Sequence, residues 1–200
     1  MAKADWVKPS KTSGSGKGSV DVTSTTPHTG RVARSSILLF KAANVDDEAC
    51  AVNQAGKPEY VDIDDAAASP QAGKVVAIAG VSNSAKLTFS LGTGVLNVSL
   101  PASYIANSIS TANGAAIAGD PGALNEYPFS ISITVPANDS IEPQSRQIIV
   151  TDEAGHQDVC LLTLASGEAY IRLSTNVVEL DWQGTPVTIE VDSNTSWTVE

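Results

Sequence analysis

The sequence has few of the side chains that carry most catalytic and covalent chemistry. Its 200 residues include two cysteines, two histidines and one methionine. Two cysteines are too few for the disulfide framework of a small secreted domain. Cys50 and Cys160 both lie in apolar, strand-like patterns, so we expect buried free thiols. His28 and His156 stand in turn-like stretches with no cysteine or carboxylate at ligand spacing, so we expect both to be solvated.

The sequence also lacks long apolar stretches. No apolar run approaches 18 residues, so we expect no membrane-spanning helix and no membrane partner. The N-terminal stretch MAKADWVKPSKTSG has no apolar core of the kind that a secretory signal needs. We therefore expect a protein that is made and first assembled in the cytoplasm of a bacterial host.

No catalytic constellation can be recognised. The sequence shows neither a Ser–His–Asp arrangement nor a carboxylate pair in a pattern typical of an active site. The acidic runs 46–48 and 62–65 lack the glycine and distal glutamate of a calcium loop, and we interpret them as polar strand ends. The glycine-rich run 14–18 lacks the helix that a phosphate-binding loop needs, so we interpret it as a hairpin turn. We predict that the protein is not an enzyme and has no cofactor and no metal site.

The residues that are abundant favour short strands. The chain is 42% hydrophobic and 17% charged, with much Ser, Thr, Gly, Ala and Val, and this composition suits strands and turns better than helices. Apolar and polar residues alternate most regularly from Phe129 to Val135, which predicts a half-buried strand. Further strands are predicted over 20–22, 37–40, 49–54, 59–64, 75–81, 86–91, 95–100, 147–151 and 158–164. Loops are predicted over 66–73 and 106–126, and the long second loop is a candidate contact surface.

Charge is distributed unevenly along the chain. The formal net charge is −10, but residues 1–41 carry seven Lys and Arg against two Asp, while residues 169–200 carry one Arg against five acidic groups. Opposite charges on two segments steer and orient their docking. The lysines near the N-terminus are spread through Gly/Ser turns with little aromatic interleaving, so we predict no nucleic-acid partner.

A weak internal repeat is the most informative feature of the sequence. The stretch CAVNQAGKPEYV, from Cys50, lies over CLLTLASGEAYI, from Cys160, with a tyrosine ten residues after each cysteine. The stretches that begin at Gly73 and Gly184 each reach an asparagine ten residues later, and SNSAKLT then lies over SNTSWTV. Such self-similarity at a fixed period is typical of tandem units.

The phase of the repeat predicts the domain organisation. Residues 59–168 read as a complete β-sandwich, 1–58 as the C-terminal half of such a unit, and 169–200 as the N-terminal half. A half-sandwich exposes strand edges and an apolar face, which are rarely left in water. Three arrangements follow: closure of the two halves within one chain, completion of one copy by the tail of another, or a piece of a longer array that ends within a unit.

Read from the last segment into the first, the chain resembles the BACON domain. The pattern is Asn-x-x-Trp, Trp-Val-x-Pro, Ser-Gly-x-Gly, a Val-rich strand, an Arg-led strand and Val-x-Gln-x-Gly. The matching residues are Asn194, Trp197, Trp6, Val7, Pro9, Ser13, Gly14, Gly16, Val20, Val22, Arg34, Val52, Gln54 and Gly56. The middle unit resembles it less, because Leu164 and Ser166 replace the Gln and Gly, and the 106–126 loop is extra.

The resemblance implies an immunoglobulin-like β-sandwich of a kind common in Bacteroidetes and in the crAss-like phages that infect them. We therefore expect an all-β fold of tandem immunoglobulin-like, BACON-like sandwiches, one of them split between the N- and C-terminal segments. With the half-sandwich argument, it implies a non-enzymatic structural protein of a phage virion: a capsid decoration or auxiliary protein, or a head-fibre or tail accessory protein. Its partners would be other copies of itself, joined by strand complementation, and other virion proteins.

The alternative interpretation is a carbohydrate- or mucin-binding module of a Bacteroidetes surface protein, with host-surface or mucin glycans as partners. We expect Trp6 and Trp197 in the core of the split unit and Trp182 as the exposed candidate for a sugar platform. Nine residues are candidates for the interface: Trp6, Val7, Arg31, Arg34, Trp182, Val187, Ile189, Val191 and Trp197.

Overall fold

The protein is an all-β molecule, as the composition and periodicity predict. The computed structural model describes residues 3–68 and 74–200, and in these ranges it contains fifteen strands, one short 3-10 helix and no α-helix. We refer to residues 3–58 as the first segment, 59–168 as the middle unit and 169–200 as the last segment.

The strands are numbered in chain order. The first segment contains β1 (Val7–Pro9), β2 (Val22–Ser24), β3 (Arg34–Phe40) and β4 (Glu48–Gln54). The middle unit contains β5 (Val61–Ile63), β6 (Ala66–Ala68), β7 (Lys74–Ser82), β8 (Thr88–Gly94), β9 (Ser103–Ala106), β10 (Ile109–Ala112), the 3-10 helix (Pro121–Ala123), β11 (Tyr127–Val135), β12 (Gln144–Thr151) and β13 (Gln157–Leu164). The last segment contains β14 (Ile171–Leu173) and β15 (Val191–Ser193).

The middle unit is a two-sheet sandwich. One sheet has the strand order β10-β9-β11-β7-β5 and the other has the order β6-β13-β12-β8. All neighbouring strands pair antiparallel except β6, which pairs parallel with β13. The inward residues of both sheets form one apolar core, in which Ile133 of β11 and Leu162 of β13 are fully buried. Period-2 alternation along β11 therefore has the structural consequence that it predicts.

Aromatic and thiol groups in this core are held away from water. Phe89 packs against Tyr104 and Phe129, with ring centroids 5.0 and 5.8 Å away. The Tyr127 hydroxyl donates to the carbonyl of Ser84 at 2.9 Å, and burial raises its pKa above the ordinary value. Burial also raises the pKa of the Cys160 thiol to about 11, so this cysteine is an inert core residue.

Two predictions about the middle unit are wrong in detail. Residues 95–100 form no strand, and the glycine-rich stretch before them lies inside β8 instead of forming a turn. Leu96 is nevertheless buried, because its amide donates to Ser145 and its carbonyl accepts from Arg146, which ties this stretch to β12. The segment 106–126 is not a plain loop, since it contains β10 and the 3-10 helix. The predicted loop over 66–73 falls partly on 69–73, outside the described residues, and its described part contains β6.

Each end segment forms small two-stranded sheets. In the first segment β1 pairs with β2 and β3 pairs with β4, and in the last segment β14 pairs with β15. Two residues of the first segment differ from expectation. His28 is buried, because its Nε2 lies 2.6 Å from the carbonyl of Val32 within a closed turn. Cys50 is exposed, because the described residues place no sheet over its side of β4.

Candidate interaction surfaces

The strand pairings repeat along the chain with an offset of 110 residues. In the first segment Arg34 stands opposite Gln54, and in the middle unit Gln144 stands opposite Leu164. The same relation joins β5 to β14, since each begins one residue after a tyrosine and pairs antiparallel with the strand that ends in a serine. The repeat that the sequence suggests is therefore present in the backbone pairing, and each position of an end segment has an equivalent in the middle unit.

The junction between the first segment and the middle unit is organised by Asn83. Its side-chain oxygen accepts from the amide of Tyr60 at 3.0 Å, and its Nδ2 donates to the carbonyls of Thr29, Lys57 and Pro58 at 3.2 to 3.3 Å. Asn83 is fully buried. One side chain thus pairs backbone groups from both sides of the junction that burial would otherwise leave unsatisfied.

The junction between the middle unit and the last segment repeats this arrangement with Asn194. Its side-chain oxygen accepts from the amide of Tyr170 at 2.9 Å, and its Nδ2 donates to the carbonyls of Asp139 and Glu168, each at 2.8 Å. These partners are the repeat equivalents of Tyr60, Thr29 and Pro58. Because the same hydrogen bonds recur, successive units are joined by the same local geometry.

A charged cluster reinforces the first junction. The guanidinium of Arg31 forms a bidentate ion pair with Asp120, and the backbone amide of Arg31 donates to Gly122 at 3.0 Å. The hydrogen bond with the Asp120 carboxylate raises the pKa of Arg31. Asp120 and Gly122 belong to the segment 106–126, whose second half therefore packs on the first segment.

A second set of polar groups lies beside this cluster. Glu126 accepts from the Tyr60 hydroxyl and pairs with Lys57 at 3.5 Å. The hydrogen bond from Tyr60, with the positive charge of Lys57, lowers the pKa of Glu126 below its ordinary value.

The two junctions lie at opposite ends of the middle sandwich. The first adjoins the start of β11, where the amide of Glu126 donates to Thr29. The second adjoins the turn that follows β11, where Gly167 donates to Ser140. Because β11 has nine residues and a strand rises about 3.3 Å per residue, the junctions are about 25 Å apart. Among the hydrogen bonds of the described residues, none joins the first segment to the last.

Both end segments expose apolar residues whose equivalents are buried in the middle unit. On the last segment these residues form what we call the tail face: Ile171, Leu173, Val187 and Ile189, which are 43 to 56% exposed. The equivalents of Ile171, Leu173 and Ile189 are Val61, Ile63 and Ile78, which are at most 9% exposed. The same sequence positions are thus core in a complete sandwich and surface in the last segment.

The first segment has a corresponding surface, which we call the head face and define by Phe40, Cys50 and Val52. Phe40 is 46% exposed, Cys50 is exposed and Val52 is half-buried. Their equivalents Val150, Cys160 and Leu162 are fully buried. Monomeric proteins rarely expose contiguous apolar surface of this kind unless it binds something.

The structure distributes the predicted interface residues over three settings. Arg31 lies in the first junction, as described above. Val7 is buried within the first segment, where the Arg34 guanidinium stacks on the Trp6 ring at 4.6 Å and its Nε donates to Gln54 at 2.9 Å. The remaining candidates are on the last segment: Trp182, Val187, Ile189, Val191 and Trp197.

The expectation that Trp6 and Trp197 share a core is not met within the described chain. Trp197 is 49% exposed and Trp182 is 92% exposed, whereas Trp6 is half-buried under Arg34. Sequence reasoning did not recognise the structural role of Asn83 and Asn194 as junction residues. The signal was present, because the Ser-Asn pair is the best-preserved part of the repeat.

No protein-family model matches the chain, and no curated protein sequence matches it. Within residues 3–68 and 74–200, no group of three or more His, Cys, Asp and Glu side chains has the arrangement of a metal site. In the same ranges no helix has the length and apolar character that a membrane crossing requires.

Proposed function

We propose that this protein is a non-enzymatic structural protein whose copies join head to tail by strand complementation. The observation that carries the proposal is the difference in exposure between equivalent positions. Residues such as Leu173 and Phe40 are surface in the end segments, while Ile63 and Val150 are core in the middle unit. Burying this surface against a complementary face supplies roughly 25 cal/mol per Å².

Pairing between copies suits the geometry better than closure within one chain. The two half-units dock at opposite ends of the middle sandwich, about 25 Å apart along β11. Both are held there by the Asn83 and Asn194 junctions, and closure within one chain would require one junction to be given up. The head face of one copy and the tail face of another meet with neither junction broken.

Charge supports the same pairing. Residues 1–41 have a net charge of +5 and residues 169–200 have a net charge of −4. Because like charges would oppose head-to-head and tail-to-tail contacts, head-to-tail contact is favoured. Such an interface is heterologous, so it generates a ring or an open string of copies.

Among structural proteins, we place this one in a phage virion. The support is the resemblance of the joined last and first segments to the BACON domain, through motifs such as Asn194-x-x-Trp197 and Trp6-Val7-x-Pro9. Tandem immunoglobulin-like sandwiches in that setting serve as capsid decoration, head-fibre or tail accessory proteins. Other virion proteins would then be partners in addition to further copies.

The test is a mixing experiment between two blocked variants. The head-blocked variant is Phe40→Asp with Val52→Asp, and the tail-blocked variant is Leu173→Asp with Ile189→Asp. Wild type is expected to form species larger than dimers as its concentration rises, and each variant alone is expected to stay monomeric. An equimolar mixture is expected to stop at dimers, because each variant retains one usable face. Analytical ultracentrifugation measures all three.

The matched control is Val95→Asp, at a 75% exposed position of the middle unit outside both faces. This variant is expected to assemble like wild type. Dimers of either blocked variant alone would show like-with-like pairing and contradict the proposal. A wild-type protein that stays monomeric at high concentration would show that something other than a second copy covers these faces.

The carbohydrate-binding alternative is favoured by one observation, the 92% exposure of Trp182. An exposed indole can stack on a sugar ring, and large exposed aromatic side chains are otherwise uncommon. Binding to mucin-type glycans on an array, lost in Trp182→Ala and kept in Trp197→Ala, would support this function in place of the first.

A further inference from the structure

The strand pairing inside the middle unit offers a template for the contact between copies. There β13 has β12 on one side and β6 on the other, and β6 runs parallel to β13. In the first segment β4 has β3 on one side, and the described residues place no strand on the other. The edge of β4 that corresponds to the β6 side of β13 is therefore open.

The last segment contains the counterpart of β6. Ala66–Ala68 corresponds by the 110-residue offset to residues 176–178, Asn-Val-Val. This stretch is paired with no strand among the described residues, and Val177 is 71% exposed. Valine is also better suited to a strand than alanine.

From this correspondence we propose the register of the joint: residues 176–178 of one copy add as a parallel strand to Val52–Gln54 of the next. The inference rests on the proposed head-to-tail function and names the pairing that it uses. In the middle unit Leu162 stands opposite Ala66 and Leu164 opposite Ala68. The equivalent pairs across the joint are Val52 with Asn176 and Gln54 with Val178.

Two side chains beside this strand have the chemistry that the register requires. In the middle unit Asp158 accepts from the amide of Ile63 at 2.7 Å. The equivalent of Asp158 is Glu48, which also has a carboxylate, and the equivalent of Ile63 is Leu173.

The second side chain is Asp65, which accepts from the amide of Leu161 at 2.6 Å. Its equivalent is Thr175, whose hydroxyl can accept from the amide of Ala51. Acceptors therefore stand at both positions where the joint would otherwise bury an unpaired amide.

The test is disulfide cross-linking between two single-cysteine proteins in a Cys50→Ser background. One protein has Val52→Cys and the other has Asn176→Cys, while buried Cys160 stays protonated because its pKa is raised to about 11. Directly opposed residues on neighbouring strands come within the 4.4 to 6.8 Å Cα separation of a disulfide. Mild oxidation of the mixture is expected to give the heterodimer as the main product.

The matched control replaces Val52→Cys by Asn53→Cys. A shift of one residue places the thiol on the opposite face of the sheet, so this mixture is expected to cross-link at least tenfold less. Assembly with equal cross-linking of both pairs, or preferential cross-linking through position 53, would overturn the register and leave the head-to-tail function standing. Loss of all association in the mixing experiment would overturn both.

Hydrogen exchange on the wild-type protein gives a second test that needs no substitution. On going from dilute to concentrated solution, the amides of residues 173–178 and 51–54 are expected to become protected, because they enter new strand pairing. Protection elsewhere on the last segment with none at 176–178 would contradict the register. Amides of β11 serve as the internal reference, since they are already paired in the middle unit.

Discussion

At the scale of single residues, two asparagines determine how neighbouring units meet. Asn83 and Asn194 each accept from a tyrosine amide and donate to carbonyl groups of the preceding unit. An asparagine suits this position because one planar side chain offers an acceptor and two donors. Aspartate would retain the acceptor and lose both donors.

Asn83→Ala is expected to destabilise the protein by about 2 to 3 kcal/mol, because it leaves the Tyr60 amide and the carbonyls of the junction buried without partners. The measurement is urea unfolding at neutral pH. The control is Asn97→Ala, at an exposed position of the middle unit, where a change within about 0.5 kcal/mol is expected. Equal stability of the two variants would show that Asn83 does not hold the junction.

At the scale of strands, the same sequence position has different surroundings in different copies of the repeat. Ile63 of β5 is 5% exposed, whereas its equivalent Leu173 of β14 is 48% exposed. The local pairing is alike in both places, since each strand pairs antiparallel with the strand that ends in a serine. The difference lies in whether a second sheet covers the strand.

This contrast predicts different costs for one kind of truncation. Ile63→Ala is expected to lower the free energy of unfolding by about 2 to 4 kcal/mol, because it opens a cavity in a closed core. Leu173→Ala is expected to cost less than about 1 kcal/mol in dilute solution, where its side chain is half in water. Chemical denaturation of both variants measures the difference.

The same pair reports on assembly. At concentrations where wild type associates, Leu173→Ala is expected to weaken association while Ile63→Ala leaves the midpoint of association unchanged. A Leu173→Ala protein that assembles like wild type would indicate that the tail face does not enter the joint.

At the scale of the whole molecule, the two junctions make the chain a short array with a repeated joint. The Asn83 and Asn194 contacts give successive units the same local geometry, and the charged cluster of Arg31, Asp120 and Glu126 adds to the first junction. If copies join as proposed, each chain contributes one complete and one shared unit. The result is a continuous string of sandwiches joined by alike junctions.

Acidification is expected to weaken the first junction. The pKa of Glu126 is lowered in the folded protein from its ordinary value of 4.5, first by the hydrogen bond from Tyr60. A lowered folded-state pKa stabilises the protein fully above that ordinary value, and the stabilisation is lost as the pH falls through the lowered one. Because Glu126 is partly exposed, the contribution is less than about 1 kcal/mol.

The measurement is the difference in unfolding free energy between wild type and Glu126→Gln. This difference is expected at pH 7 and is expected to vanish near pH 3. Glu179→Gln, at an exposed position of the last segment, is the control and is expected to behave like wild type at both pH values. A Glu126→Gln difference that persists at pH 3 would contradict the role assigned to the carboxylate.

Periodicity and repeat phase in the sequence were enough to predict the all-β fold and the equivalence of residues around Cys50 and Cys160. Both are local properties, because alternation sets which face of a strand is apolar and spacing sets which strands correspond. Local pattern was not enough for residues 95–100, where buried Leu96 satisfies its backbone through Arg146 and Ser145 instead of a strand partner.

The sequence by itself therefore determined the strands, the repeat and the apolar positions of each unit. The tertiary structure alone decided which of those positions are covered, that the half-units dock at opposite ends of the middle sandwich, and that His28 is buried while Cys50 is exposed. The physical reason is that burial depends on which distant strands are brought over a face. Cys50 and Cys160 occupy equivalent places in their strands, and a covering sheet makes one of them core and leaves the other at the surface.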